Sequence, residues 1–471
     1  MTNRYRCGRA TARGSALLIA LIFLVLFASM AVAIAASSDI NLSIARNRVA
    51  AHQAAALAET GLLLLQQNLG GMTVPATLDA EDLHEAIASH LVTAWDASSM
   101  LDAGDIWADA EGVHFPLLSV VRDDGQSGTI SLSIVADGGA TAEPTIVVES
   151  IGRFDNAVRT VHYRMGVIDS FAVLANYGIA SKSRIFMQGS PIVQGASSLA
   201  EGSIFSATAS CANAVELGGH ASVTGHAAVS SSTANIVTSG SSQIGGNRIH
   251  GALEPPWPTV DVSVFKDYAT NVYTGSSGGG GGSKGKGKGG GGDDDQTLTN
   301  ILIPAGTNPT FSGNTTLTGV IYIESPNVVT FTGNADVTGI IVAEQPETEN
   351  FSLNKICFGG NVSAQGVEHL PASPEFNDLR GLTGSLILAP GYKLDFSGNA
   401  SDLGGWIVAS VFEFNGNVRA NLRGGVLGLA DSDFNVHGNL TMTIDKSGMP
   451  QTPAGMRPTY CLVCIQGSYA E

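Results

Sequence analysis

Few residues in this chain have types and spacings that could do chemistry, and most of them fail on context. Gly281-Gly282-Ser283-Lys284-Gly285 has the glycine-x-serine-x-glycine form that exposes a nucleophilic hydroxyl on a sharp turn. It lies in a glycine tract, with no strand before it and no helix after it. Gly285-Lys286 and Gly287-Lys288 suggest a phosphate-cradling loop, but glycine follows each lysine where serine or threonine is required. His220 and His226 stand six apart and could meet a metal, yet no carboxylate or cysteine motif accompanies them. Asp293, Asp294 and Asp295 are weak Ca²⁺ candidates, since adjacent carboxylates in a flexible loop are ordinarily solvated. No catalytic constellation survives, so no enzymatic activity and no cofactor is expected.

The elements around these residues say more. From Ser15 to Ser38 there is no charge, and Leu, Ile, Ala, Val and Phe dominate. That length fits a helix crossing a hydrocarbon core of about 30 Å. Arg4, Arg6, Arg9 and Arg13 precede it without an acid, which predicts a cytoplasmic N-terminus. Ala31-Val32-Ala33 and Ala33-Ile34-Ala35 are small-x-small sites, so a cleaved secretion signal, a plain anchor and a retained working element all remain open. No proline occurs between Ser15 and Leu69, and Gly61 is the one glycine inside that stretch. Ile40, Ile44, Ala51, Ala55, Ala58, Leu62, Leu65 and Leu69 follow at helical steps. Ser15 to Leu69 therefore reads as one helix, roughly 80 Å long. Its first half suits lipid and its second half needs a protein partner.

"RGSALLIALIFLVLF" followed by "RNRVAAHQAAALAETGL" resembles the N-terminus of PilX-type minor pilins and related prepilins. The resemblance implies a leader over residues 1–14, cut by a prepilin peptidase between Gly14 and Ser15, and N-methylation of Ser15. It implies a transmembrane and filament helix over 15–71, which waits in the inner membrane and then joins other major and minor pilins. Glu59, in "AETGL", is the one helix carboxylate that matches a motif of that family. It is either solvated or in contact with the headpiece. Ile19 departs from the family, because major pilins carry a glutamate at the fifth mature position. PilX-like minor pilins and the pseudopilin K of type II secretion often lack it too, which implies a tip or priming role.

Composition suits an exported body. The formal net charge is −17, and removing the four leader arginines makes it more negative still. Such a surface disfavours nucleic acid and anionic lipid, which are bound by Lys and Arg. Cys7 lies in the leader; Cys211, Cys357, Cys461 and Cys464 are candidates for disulfides, with three connectivities open. Cys461-Leu462-Val463-Cys464 has the spacing of a redox pair or half a zinc site. It lacks a βα context and a second pair, which leaves a structural bridge or free thiols.

Residues 72–170 read as an α+β headpiece. "AEDLHEAIASHLVTAW" sets Leu83, Ile87 and Leu91 along one helix face, and Asp155-Asn156 marks a hairpin between two β-rich runs. The larger part is repetitive: "FSGNTTLTGVIYIES", "FTGNADVTGIIVAEQ" and "FSGNASDLGGWIVAS" share one frame. Glycine pairs six apart recur from Gly189/Gly195 to Gly398/Gly404. A period near 20 residues predicts a parallel β-solenoid, first over 171–273 and again over 297–446. A flexible Gly/Lys/Asp-rich loop, 274–296, separates the two parts, and a C-terminal tail with the CxxC motif covers 447–471.

Several details of that solenoid can be stated in advance. Glycine should occupy left-handed corners. Asn314, Asn334, Asn361, Asn399, Asn417 and Asn439 should stack as an internal ladder. The Phe before each Gly-Asn should fill the core. Roughly ten coils about 4.8 Å apart give a body near 50 Å long. The headpiece should cover one open end, and the tail with Pro450, Pro453 and Pro458 the other. "EPPWPTVDVSVFKDYA" should run along the surface of the body.

The expected fold class is thus mixed: a long N-terminal helix, a small α+β headpiece and a large all-β parallel solenoid. The expected function is that of a minor pilin which primes assembly or displays the solenoid for adhesion, its surface or polysaccharide ligand unspecified. A membrane-anchored or secreted β-helix enzyme acting on polysaccharide is the alternative, and a bactofilin-like polymerising scaffold a third.

Overall fold

The computed structural model describes residues 13–70, 72–74, 80–98, 105–121, 125–137, 145–275, 296–416, 418–450, 452–457, 459–465 and 467–470. Residues 1–12 of the expected leader, the glycine-lysine tract with Ser283, Asp293, Asp294 and Asp295, and Asn417 and Pro458 lie outside the described residues. The chain divides into two compact units. One comprises Met1–Gly70, Leu78–Gly166 and Cys464–Glu471, the other Gly71–Thr77 and Val167–Val463.

The first unit is built on α1 (Arg13–Leu69), a single helix of 57 residues. Alanine and leucine favour it, and no proline interrupts its hydrogen-bond ladder. Leu17 (74% exposed), Phe27 (67%), Ile40 and Ile44 all face outward. Burial begins at Ala50 and continues through Ala54, Ala58, Leu62, Leu65 and Leu69. The buried face is thus rotated from the expected one at its start, since Ala51 and Ala55 are only half-buried.

The reason is close packing on glycine. A Cβ on Gly152 would lie 2.1 Å from the Ala54 carbonyl oxygen, and one on Gly128 would lie 2.4 Å from Leu57 Cδ1. From the helix side, a Cβ on Gly61 would lie 2.4 Å from Ser150 Oγ. Small residues on both surfaces let helix and sheet meet backbone to backbone, which fixes the helix rotation.

That sheet is an antiparallel meander of Ser127–Ala136, Thr145–Phe154 and Ala157–Asp169. Phe154 pairs with Ala157 across the two-residue turn Asp155-Asn156, where Asp155 takes φ 51°, as a tight hairpin requires. Leu118–Val121 and Gly112–His114 pair with the first of these strands. The second helix, α2 (Ala80–Ser98), buries Leu83, Ile87, Leu91 and Trp95. Residues near the C-terminus return to this unit, with Ala470 and His162 exchanging backbone hydrogen bonds of 2.9 and 3.0 Å.

The second unit is a three-faced parallel β-solenoid. Its coil order in space differs from its order in sequence. Along face one the strands run Asn271–Val272, Gln296–Ile303, Asn314–Ile323, Asn334–Ala343, Ser385–Phe396, Trp406–Gly416 and Val426–Gly428. The next neighbour is Ile179–Ser181, followed by Ile204–Ser206, Ala227–Val229 and Arg248–His250. The chain therefore starts its winding in the middle of the stack and proceeds to one end. It then crosses to the other end and winds back until its last coil meets its first. Ten spacings of about 4.8 Å make the stack about 50 Å long.

Face two stacks Phe311, Phe331, Phe358, Phe396 and Phe414 inside the core, with ring centroids 5.0, 5.2, 4.7 and 4.9 Å apart. Face three begins at each Gly-Asn corner. There Asn334 Nδ2 donates to Asn314 Oδ1 (2.9 Å), Asn361 to Asn334 (2.8 Å) and Asn399 to Asn361 (3.0 Å). This ladder exists, but it is exposed and not internal, because the corner turns these side chains outward while Phe and Leu fill the interior.

Glycine at the corners has two separate reasons. Gly189, Gly219, Gly240 and Gly313 have positive φ, as left-handed corners predict. Gly333, Gly360 and Gly398 do not; each stacks directly on the glycine below. A Cβ at any of them would lie 1.8–1.9 Å from that neighbour's carbonyl oxygen.

Face one is buried on both sides, which is why its strands read as continuous apolar runs. Its outward residues, among them Tyr322, Val342, Leu388 and Leu427, pack against Phe171, Phe265, Phe376, Leu379 and Met456. The segment with Phe265 runs over the body as expected. The tail does not cover an end: Ser385 Oγ donates to the Ala454 carbonyl (2.6 Å), and Pro450 and Pro453 lie against Gly384, on the flank. Nor does the coil that follows the headpiece in sequence form an end, because Ile179–Ser181 has a strand on either side.

Candidate functional site

Two regions present unpartnered surface with a defined arrangement. The first is the outer half of α1. Gly14 and Ser15 lie at its start, where the first backbone N–H groups have no helical acceptor and local unwinding costs little. Ile19 is 53% exposed, within an apolar surface that continues from Leu17 to Ile34, and Ile40, Leu42 and Ile44 are exposed beyond Asp39. This helix is long and apolar enough to cross a membrane. Glu59 is exposed on the side of the helix away from the Ala54–Ala58 seam.

The cysteines do not form the expected bridges; Cys211, Cys357, Cys461 and Cys464 are all free thiols. Cys461 and Cys464 share the strand Tyr460–Cys464, where residues an odd number apart point to opposite faces. Cys461 is buried and Cys464 exposed, so the spacing cannot close a disulfide without breaking the strand. Burial pushes the Cys461 thiol up to about 11, which makes it a poor nucleophile. Cys357 sits between Thr330 and Asp395 on face two, while Cys211 lies beside Ser210 (3.8 Å) in a different turn. His226 Nδ1 accepts from the Asn247 backbone N–H (2.9 Å), so that nitrogen is already engaged. Among the described residues no group of three His, Cys, Asp or Glu side chains could hold a metal ion.

The second region is a groove of about 360 Å³ on the outside of face three. The register shifts between Val362/Ala400 and Ala364/Leu403, an extra residue that bulges the strand Asn399–Gly404 and turns Asp402 outward. Above it, Asp402, Asn421, Thr443 and Gln194 form one column. Asn421 Nδ2 donates to Asp402 Oδ1 (3.0 Å), and Gln194 Nε2 donates to Thr443 Oγ1 (3.0 Å). Arg423 and Asp445 are neighbours in the adjacent column, with Gln365 and His369 at the rim. The Ser447 hydroxyl and backbone N–H hold the Asp445 carboxyl below its usual range, and the Arg423 charge adds to the effect. Beneath them Ala364 and Leu403 turn their side chains into the core, and Ala196 is exposed at the edge.

None of these groove residues stands out in the sequence. The polar ones occupy outward positions on separate repeats, Asn421 and Arg423 on one and Thr443 and Asp445 on another, and only the stacking register makes these repeats neighbours.

No protein-family model matches this chain, and no curated protein matches it. Among solved structures it is similar to the competence-associated pilin ComZ from Thermus thermophilus. The identity is 12% and the TM-score 0.25, over 84% of this chain and 98% of that one.

Proposed function

We propose that this chain is a minor pilin of the PilX-like type, or the corresponding pseudopilin of a secretion filament, and that it carries the solenoid outward on that filament. The observation that supports this is the continuity of α1. One uninterrupted helix has an exposed, charge-free apolar half and a second half embedded in an antiparallel sheet through Ala54, Ala58 and Gly61. A secretion signal cut near Ala35 would discard a helix whose remainder is rigidly built into the fold. A plain anchor has no need for such rigidity.

In this reading the helix waits in the inner membrane until a prepilin peptidase cuts between Gly14 and Ser15. Ser15 is methylated, and the exposed half then packs among the helices of other pilins. Burying it would contribute at about 25 cal/mol per Å² of apolar surface. The solenoid works by binding and not by catalysis.

N-terminal sequencing of the mature protein tests the proposal. A start at Ser15 supports it. A start near Ala36 would overturn it in favour of a secreted protein, and an intact Met1 in favour of a simple anchor.

A further inference from the structure

The three faces of the solenoid differ in what lies against them. Face one is covered by the chain's own segments. Face two carries side chains that satisfy one another: Lys355 with Asp395 (2.8 Å), Lys393 with Glu413, and Arg184 with Asp433. On face three the side chains pair through single amide and hydroxyl hydrogen bonds, Asn421 with Asp402 and Gln194 with Thr443, and these line the groove that also holds Arg423.

We propose that this groove binds a neutral glycan. A hydroxyl-rich ligand both donates and accepts at each position, so it needs donors and acceptors side by side at fixed spacing. Asp402 only accepts, Arg423 only donates, and Asn421 and Thr443 do both. The four stand on three successive rungs about 4.8 Å apart, Asn421 and Arg423 on the same strand, so little side-chain ordering is lost on binding. Ala196, exposed in the lining, offers a small apolar patch to the C–H face of a sugar ring. The volume falls in the lower part of the ~300–1,000 Å³ range of small-ligand sites, enough for a short saccharide.

The charge balance selects the class. A sulfated or phosphorylated polymer would meet Asp402 and Asp445 with only Arg423 to offset them, on a chain of net charge −17. A cationic peptide would find the carboxylates engaged, Asp402 with Asn421 and Asp445 with Ser447. An uncharged ligand fits both facts. This inference rests on the reading of the solenoid as an outward-displayed module, but its test does not depend on filament assembly.

The test is calorimetric titration of the purified full chain, in a detergent without a sugar headgroup. The probes are maltohexaose, cellohexaose and N-acetylated chitohexaose, with heparin, polygalacturonate and hexalysine for comparison. At least one neutral hexasaccharide should bind with a Kd below about 1 mM, a typical weak single-site affinity. Asn421→Ala and Arg423→Gln should each weaken it about tenfold, as expected for a lost hydrogen bond to a charged or amide group. Asn213→Ala, on another corner of the solenoid, should leave it unchanged. Melting curves that match the parent would show that the variants are folded, as their exposure predicts.

Absence of neutral-glycan binding up to about 10 mM, well beyond weak specific affinity, would overturn the proposal. So would preference for heparin, polygalacturonate or hexalysine, or binding that survives both groove variants. Failure of leader removal would overturn the filament reading alone.

Discussion

A Cβ atom placed on Gly152 would lie 2.1 Å from the carbonyl oxygen of Ala54 and 2.5 Å from the backbone nitrogen of Ala58. At Gly152 the strand Thr145–Phe154 thus meets the backbone of α1 directly, and the rotation of the helix on the sheet follows from that contact. Gly152→Val cannot be relieved by a rotamer change, because the obstructing atoms are main chain. The cost should be about 3 kcal/mol or more, at or above the upper end of ordinary overpacking. Hydrogen exchange at the backbone amides of the Thr145–Phe154 strand, followed in the full chain in detergent, should show the loss. Gly381→Ala, with nothing within 4 Å of its added Cβ, should not.

Gly14→Leu should leave the protein membrane-bound at precursor mass, since a peptidase subsite that fits glycine has no room for a branched side chain. Mass spectrometry of the protein from membranes decides this. Normal maturation of the variant would refute the prepilin reading, whatever the fold of the body.

Gly333→Val should destabilise the solenoid although Gly333 does not have the left-handed backbone that Gly313 has. Its added Cβ would sit 1.9 Å from the Gly313 carbonyl oxygen, and the next rung repeats the contact. A loss of about 3 kcal/mol or more in the melting of the body is expected. A Gly333→Ala melt equal to the parent's would mean that the rungs separate freely there.

These glycines illustrate how far the sequence carries. A Gly-Asn repeat near 20 residues announces a parallel coil, because each turn needs the same corner, and the preceding Phe is legible as core. Which corner glycine is held by φ and which by its neighbour is not legible, because that depends on coils stacked from distant segments. The same limit hides the coil order. Val426 could stack on any coil with a matching apolar strand, and only three-dimensional packing puts it beside Ile179. The long helix is legible from its missing prolines and charges. Its rotation, with Ala54 buried where Ala55 was expected, depends on Gly128 and Gly152 in a sheet far along the chain. The groove around Asp402 was invisible for a further reason: it begins at a one-residue bulge, which leaves no mark on a repeat already variable in length.

Lys446 offers a pH-dependent test of the packing on the flank. Its Nζ donates to the Ala175 carbonyl (2.7 Å), and burial pushes its pKa down to about 8, with Glu201 opposing the shift. Below about pH 8 both folded and unfolded chains hold the proton, and the fold bears the cost of a buried charge. Between about pH 8 and the ordinary lysine range near 10.4, the folded chain has lost the proton and the unfolded chain keeps it. The contribution of this group to stability therefore rises with pH across that window. Cys461 and the buried tyrosines shift the other way, so the comparison must be with Lys446→Met. The urea midpoint of the parent should gain on that of the variant between pH 7.5 and pH 10. Parallel curves would show that the Lys446 amine is solvated.

The two ends of the stack carry the last prediction. Arg248 and His250 pair with Ala227 and Val229, which face the core, so the final rung places a cation and an imidazole where the others place apolar side chains. Arg248 donates to the Ile236 carbonyl (3.3 Å) and to Thr238 Oγ1 (2.8 Å), across the open coil, and His250 Nδ1 lies 2.9 Å from the Ala234 carbonyl. At the opposite end Asn271 pairs with core-facing Ile301, and its Nδ2 donates to the Thr299 carbonyl (2.7 Å). Each end thus hydrogen-bonds carbonyls that would otherwise accept a strand from another molecule, and inward-pointing polar residues of this kind oppose edge-to-edge addition. A polymerising scaffold would need the reverse, dry apolar ends. The variant Arg248→Val, His250→Val, Asn271→Val should therefore associate end to end, with an apparent mass in sedimentation velocity that rises with concentration while the parent's does not. The lost hydrogen bonds are exposed or part-buried and contribute about 1 kcal/mol each, so the melting of the coils themselves should change little. A variant that sediments like the parent at every concentration would show that these side chains are not what keeps the solenoid from stacking on its own copies.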